Sequence, residues 1–162
     1  MSEQETVTQS ESNSNTNNSH LNPWVVFKLF EEKYALKAVT IQEVFRIVDI
    51  VPVPGAPDYI LGIINSRGII ITIIDLRTRF GLPFAEPNDS SRIIVLENDN
   101  HPIGLLVDTV AEVIWMSDSD IGSAPGIGTE ATAEFIQGVS QQGDNNELLI
   151  LLNLERITDD EP

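Results

Sequence analysis

DYILGIINSRGIIITIIDLRTRFG, residues 58 to 81, decides the fold of this chain. It sets two β-branched, apolar runs, Ile60 to Ile64 and Ile69 to Ile74, on either side of Asn65-Ser66-Arg67-Gly68. Each run is too short to stand as a helix and is rich in isoleucine, which points to strands in a core. The four residues between them are turn formers, and Gly68 can take a positive φ without steric cost. The stretch therefore predicts a hairpin whose tip presents one cation, Arg67.

Composition limits what can surround this hairpin. A chain of 162 residues with 41% hydrophobic and 6% aromatic residues predicts one domain with an aliphatic core. The formal charge of −16 argues against phosphate backbones and anionic lipid surfaces as partners. Residues 1–92 carry eight Lys and Arg against eleven Asp and Glu, a balance of −3, and residues 93–162 carry one against fourteen, a balance of −13. Such an acidic half either steers a basic partner or simply keeps the protein soluble. No cysteine is present, so disulfides, thiolate metal sites and a cysteine nucleophile are excluded. No signal pattern opens the chain and no apolar run approaches the ~20 residues of a membrane span, so a cytoplasmic location is expected.

Residues 1–22 are polar and are expected to form a disordered tail, and residues 159–162 a short acidic one. Between them, 23–158 reads as a single domain. Trp24 to Phe30 and Tyr34 to Val39 are predicted strands around a turn at Glu31 to Lys33. Thr40-Ile41-Gln42-Glu43 fits a capping box and predicts a short helix before the strand-like Phe45 to Val48. Val51 to Pro57, with three prolines, is a connector that cannot enter a central ladder. Asp75 to Phe80 predicts a helical turn ended by Gly81. Leu82 to Ser90 breaks the strand pattern and is read as the boundary of two lobes. Beyond it, Arg92 to Leu96, Ile103 to Val107, Val110 to Met116, Phe135 to Val139 and Leu148 to Leu152 are strands, with Asn153 to Ile157 a closing turn. Many short strands at even spacing predict an all-β barrel or sandwich.

Nothing in this pattern argues for catalysis. His20 lies in the polar tail, and His101 beside Pro102 is more simply a solvated turn residue than the base of a Ser-His-Asp site. Asp118 to Gly122 lacks the ligand spacing of a calcium loop, and Gly126-Ile127-Gly128 lacks the third glycine of a phosphate loop. A binding surface remains. Arg67 is either an exposed turn charge or the partner of another protein's carboxylate. Gly62 either marks a strand bulge or permits close approach by another chain. Ile41 is either a core residue or the wall of a groove.

Gly62-Ile63-Ile64-Asn65-Ser66-Arg67-Gly68 followed by Ile74-Asp75-Leu76-Arg77 resembles the G-x-x-N-x-R-G and D-L-R signature of bacterial CheW-like coupling proteins. Ile41 to Val44, Gly104 to Val110 with Glu112-Val113, and Gly138 with Leu151 to Glu155 agree in order and spacing. The resemblance implies two five-stranded β-barrels packed side by side, with a few short helices. It implies a non-enzymatic adaptor, without cofactor or metal, that binds the helical cytoplasmic tip of a chemoreceptor in a groove between barrels. It also implies contact with the regulatory domain of a CheA-type histidine kinase, in flagellar chemotaxis or in a type IV pilus or other chemosensory pathway. By motif, Ile41, Glu43, Gly62, Asn65 and Arg67 are placed at the receptor or kinase surface, with Gly104 and Val113 matching more loosely. Ser66 stands where the family more often has Leu.

Overall fold

The computed structural model describes residues 20–96, 101–123, 130–142 and 147–153. Of the tail expected at 1–22, residues 1–19 lie outside them, as do the acidic tail at 159–162 and most of the closing turn at 153–157, while Asn22 already belongs to the first strand. Among the described residues, ten strands form two five-stranded sheets: β1 (Asn22–Leu29), β2 (Glu32–Lys37), β3 (Ile41–Arg46), β4 (Ile60–Ser66), β5 (Ile69–Asp75), β6 (Arg92–Leu96), β7 (Ile103–Val107), β8 (Thr109–Met116), β9 (Ile136–Gln142) and β10 (Glu147–Leu152). Two four-residue helices, α1 (Leu76–Arg79) and α2 (Glu130–Ala133), complete them together with two short 3-10 turns. No helix among the described residues is long and apolar enough to cross a membrane.

The first sheet has the order β8-β1-β2-β10-β9 and the second β3-β6-β7-β5-β4. Each curls into a barrel, closed by backbone bonds from the segment that follows an edge strand. In the first, Gly122 and Val139 exchange N–H to O bonds of 2.8 and 2.9 Å, and in the second Val51 and Ile63 exchange bonds of 2.9 and 2.8 Å. Closure satisfies edge groups that would otherwise template aggregation.

The two lobes are not divided at Leu82 to Ser90. The first barrel holds β1, β2 and β8 to β10, and the second holds β3 to β7, so the chain crosses between barrels at Ala38–Thr40 and again at Asp108. Leu82 to Ser90 instead connects β5 to β6 within the second barrel. That span is needed because β5 pairs not with β6 but, in parallel, with β7, and parallel neighbours need a long connection.

Alternation explains why several strands read as unbroken apolar runs. In β10, Leu149 and Leu151 face the first barrel's own core with Trp24, Val26, Ala35 and Met116, while Ile150 and Leu152 face a larger cluster. In β6, Ile93 and Val95 likewise join Ile64, Ile71, Ile73 and Leu106, while Ile94 and Leu96 join that same larger cluster. The larger cluster draws side chains from both barrels and is the seam between them. Strands buried on both faces lose the polar alternate residues of a one-sided sheet.

The core is not wholly aliphatic. A row of rings, Phe27, Tyr34, Phe80 and Phe135, runs through the seam with centroids 5.9, 5.7 and 5.5 Å apart. The Arg79 guanidinium caps its end, 4.6 Å from the Phe135 ring and 4.7 Å from Tyr59. These four rings are the aromatic part of the seam, whereas Trp24 lies in the first barrel's own core and Phe84 and Trp115 are exposed.

Candidate functional site

The hairpin at the centre of the sequence forms, with its strands extending to Ser66 and Ile69. This leaves a two-residue turn, Arg67-Gly68, with φ of +54° and +84°. Positive φ at both central residues is the type I′ geometry that matches strand twist. Glycine takes it freely, whereas a left-handed non-glycine residue costs roughly 1–2 kcal/mol. Asn65 offsets part of this, because its Oδ1 accepts the Gly68 N–H at 3.0 Å. Asn65 is thus the brace of the tip, and Arg67 is held out with 82% of its side chain exposed.

Arg67 does not project alone. Its Nη2 lies 3.5 Å from Glu43 Oε2 on β3. β3 and β4 are opposite edges of the second sheet, so this ion pair spans the gap between the two edges across which the second barrel closes. Glu43 stands there because the expected capped helix does not form. Only Ala38–Thr40 makes a 3-10 turn, the Thr40 hydroxyl donates to Lys37 O at 2.6 Å, and Ile41 begins a strand. Val44, Phe45 and Arg46 pair with Ile94, Ile93 and Arg92 of β6, and this pairing outweighs a local cap. Ile41 is half-buried and packs against the inter-barrel core, at the crossing point.

Gly62 has φ of +149° beside a bulge in β4, and a Cβ built on it would lie 2.1 Å from Val51 O. The chain that approaches Gly62 so closely is this chain's own connector, at the closing bridge of the barrel. Gly104 is buried in β7, where a Cβ would meet Ile93 Cγ2 at 2.7 Å and Ile73 Cδ1 at 2.8 Å. Its motif marks core packing, and no surface is formed by it. Val113 is exposed on β8, opposite Val25.

The structure therefore joins Glu43, Asn65 and Arg67 in one corner of the second barrel, sets Ile41 at the seam and leaves Val113 on the other barrel. Sequence reading missed Ile69 and Ile70, which it placed in the core. They are 53% and 49% exposed next to the tip. Their signal was position: Ser66 and Asn65 lie opposite them, and such polar partners mark the end of the buried register. It also missed Trp115, 60% exposed on the same face of β8 as Val113.

The D-L-R motif has a separate task. Asp75 caps α1, accepting the Arg77 N–H at 3.2 Å and the Thr78 hydroxyl at 3.0 Å. Arg77 then forms a two-pronged pair with Asp108, Nε to Oδ1 at 2.8 Å and Nη2 to Oδ2 at 2.5 Å, and donates from Nη1 to Pro83 O at 2.8 Å. Asp108 Oδ2 also accepts the Phe30 N–H at 2.8 Å. One guanidinium and one carboxylate thus tie the β1–β2 turn, α1, the β5–β6 connection and the second inter-barrel crossing together.

Protonation follows from this geometry. Burial works against the Asp108 charge, but hydrogen bonds from Arg77 and Phe30 together with nearby positive charge outweigh it and hold the carboxyl below the usual carboxylate range. At Asp75 burial prevails over its hydrogen bonds and pushes the carboxyl up. A lowered pKa stabilises the fold above the unfolded value, and that contribution is lost as pH falls through the folded one; a raised pKa does the reverse. Two outcomes are expected from urea denaturation. Asp75→Asn, which keeps the capping oxygen, should unfold at a midpoint equal to or above wild type at neutral pH. Asp108→Asn should show a flatter loss of stability below about pH 4 than wild type.

The fold and this corner define a small two-barrel binding module. The CheW-like domain profile matches residues 23–161, and the chain belongs to the CheW-like domain family. It is 36% identical over 137 residues to the chemotaxis protein CheW of Treponema pallidum, covering 82% of this chain and 79% of that protein. It is 33% identical over 138 residues to the chemotaxis protein CheW of Bacillus subtilis, covering 85% and 86%. The crystal structure of the scaffolding protein TtCheW from Thermoanaerobacter tengcongensis superposes with a TM-score of 0.77 at 36% identity, covering 86% of this chain and 89% of that one.

Proposed function

We propose that this chain is a non-enzymatic adaptor of bacterial chemotaxis, coupling the helical cytoplasmic tip of a chemoreceptor to the regulatory domain of a CheA-type histidine kinase in the cytoplasm. Membership of the CheW-like family supports the class. The observation that carries the local reading is the tip of the β4–β5 hairpin, where Arg67 keeps a strained backbone and an exposed guanidinium between exposed isoleucines and Glu43. Strain retained at an exposed position points to a task performed there.

In this reading a receptor helix lays its apolar face on Ile70, which lies on the same face of β5 as Ile74, and toward Ile41 and the seam, as amphipathic helices do in grooves. Apolar contact supplies most of the affinity, and Arg67 fixes register by exchanging Glu43 for a carboxylate of the partner. Asn65 braces the tip, and Val113 extends the surface onto the first barrel. Gly62 and Gly104 hold the barrel wall behind it.

The test is co-purification of the full chain with a receptor cytoplasmic fragment and the kinase regulatory domain, in which both should be retained together. Arg67→Ala should weaken receptor retention roughly tenfold while shifting unfolding free energy by less than about 0.5 kcal/mol. A large stability loss would make Arg67 a structural residue and remove this reading of the tip.

A further inference from the structure

The two barrels meet through apolar side chains: Leu29 and Leu36 of the first and Ile94 and Leu105 of the second join one buried cluster. Apolar contact has no direction of its own. It draws the barrels together but discriminates poorly between angles, so the angle is set by directional interactions that cross the seam. α1 (Leu76–Arg79), in the chain of the second barrel, supplies two of them. Leu76, and Phe80 just beyond its end, are buried in the seam. Arg77 and Arg79, two positions apart and so roughly 200° apart around the helix axis, leave it on different sides.

Arg77 grips the first barrel at Asp108 and lies 5.6 Å from the Phe30 ring in the β1–β2 turn. Arg79 grips it elsewhere. Its guanidinium carbon is 4.6 Å from the Phe135 ring and 4.7 Å from the Tyr59 ring, and the side chain is half-buried. The two rings belong to different barrels. Tyr59 is bound into the second, its carbonyl accepting the Asp75 N–H at 2.8 Å, and Phe135 into the first, its carbonyl accepting the N–H of Asn153, just past β10, at 2.8 Å. A cation over two aromatic faces is held by the ring quadrupoles, and the attraction weakens when either ring moves away. One anchor, Arg77 on Asp108, leaves a pivot. The second anchor stops the rotation.

We propose that Arg79 is a positioning residue: held between Tyr59 and Phe135, it fixes the angle of the barrels and thereby aligns Ile70 and Arg67 on the second with Val113 on the first as one surface. It does so without touching the partner. This rests on the adaptor reading above for the surface that is aligned, whereas the clamp is a property of the chain alone.

Two measurements on the full chain test the clamp. The first places nitroxide labels at Arg46→Cys on β3 and Gln137→Cys on β9, both exposed and one on each barrel, in a chain with no cysteine of its own. The label-to-label distance distribution from pulsed electron resonance should broaden or shift in Arg79→Met. Arg79→Lys, which keeps a cation over the rings, should bring it back toward wild type. The second measures binding of the receptor cytoplasmic fragment, with melting temperature as a control for folding. Arg79→Met should weaken it about fivefold. In that background Val113→Ala should lose most of its own effect, because the first barrel no longer presents Val113 in place, while Arg67→Ala keeps its effect in full. A merely structural role would lower the folded fraction and leave both effects at their wild-type size. A distribution in Arg79→Met that matches wild type, a lysine no better than methionine, or an unchanged Val113→Ala effect would each overturn the proposal. If wild type does not bind the fragment, the adaptor reading fails, and the label distances still decide the clamp.

Discussion

Replacing Arg77 by Ala is expected to lower the unfolding free energy by about 3 kcal/mol and the melting temperature by roughly 10 °C. The reason is what the substitution leaves behind. Asp108 is only partly exposed, and without the guanidinium its carboxylate keeps the Phe30 N–H but loses two charge-assisted bonds. Breaking one partner of a largely buried pair is costly because an uncompensated charge remains. The Arg77 side chain is 14% exposed and that of Asp108 29%, which places the cost at the lower end of the range for fully buried pairs. Pro83 O loses its donor in the same step, and the Phe30 ring, 5.6 Å from the Arg77 guanidinium carbon, loses its cation. Arg77→Lys should recover little, since an ammonium cannot satisfy both carboxylate oxygens and the carbonyl with the planar fork. Urea titration checks both variants, and an Arg77→Ala change below about 0.5 kcal/mol would mean that the pair does not hold the barrels together.

Gly62→Ala is expected to be at least as damaging, by about 3 kcal/mol or more, for a steric reason. A methyl group would lie 2.1 Å from Val51 O and 2.6 Å from Val51 C, and both are backbone atoms. No side chain can rotate to relieve the overlap, so the connector must move and the Val51–Ile63 bridge must open. The φ of +149° adds strain of about 1–3 kcal/mol for an L-residue. Gly104→Ala presses on side chains, Ile93 and Ile73, and overpacking of that kind costs about 1–3 kcal/mol. Circular dichroism melts of the two variants should rank them in that order. Any loss of partner binding in Gly62→Ala is then expected to follow the loss of folded protein, in contrast to Arg67→Ala.

Much of this architecture was legible along the chain because it is local. The hairpin at residues 58–81, the capped turn after Asp75, and the strands at Arg92, Ile103, Val110 and Leu148 each announce themselves through period, turn residues or β-branching. Arg67 was legible as an exposed cation because only the tip of such a hairpin can carry it.

The arrangement of these pieces was decided at long range. Local propensity favoured a capped helix at Thr40 to Glu43, and pairing of β3 with β6 overrode it. The proline-containing break at Leu82 looked like a lobe boundary, yet the boundaries fall at Ala38–Thr40 and at Asp108, because β1 and β2 find their remaining partners more than seventy residues later. A glycine in a strand has the same sequence signature whether the approaching backbone is its own or another chain's, so only the fold could assign Gly62 to Val51. By itself the sequence determined most of the strands, the start of β3 excepted, and where the charged turn lies. Tertiary structure decided which strands share a barrel, that Glu43 answers Arg67, and that Ile69, Ile70 and Trp115 are left uncovered. Burial is a property of what packs on a face, and that is set by partners distant in the chain.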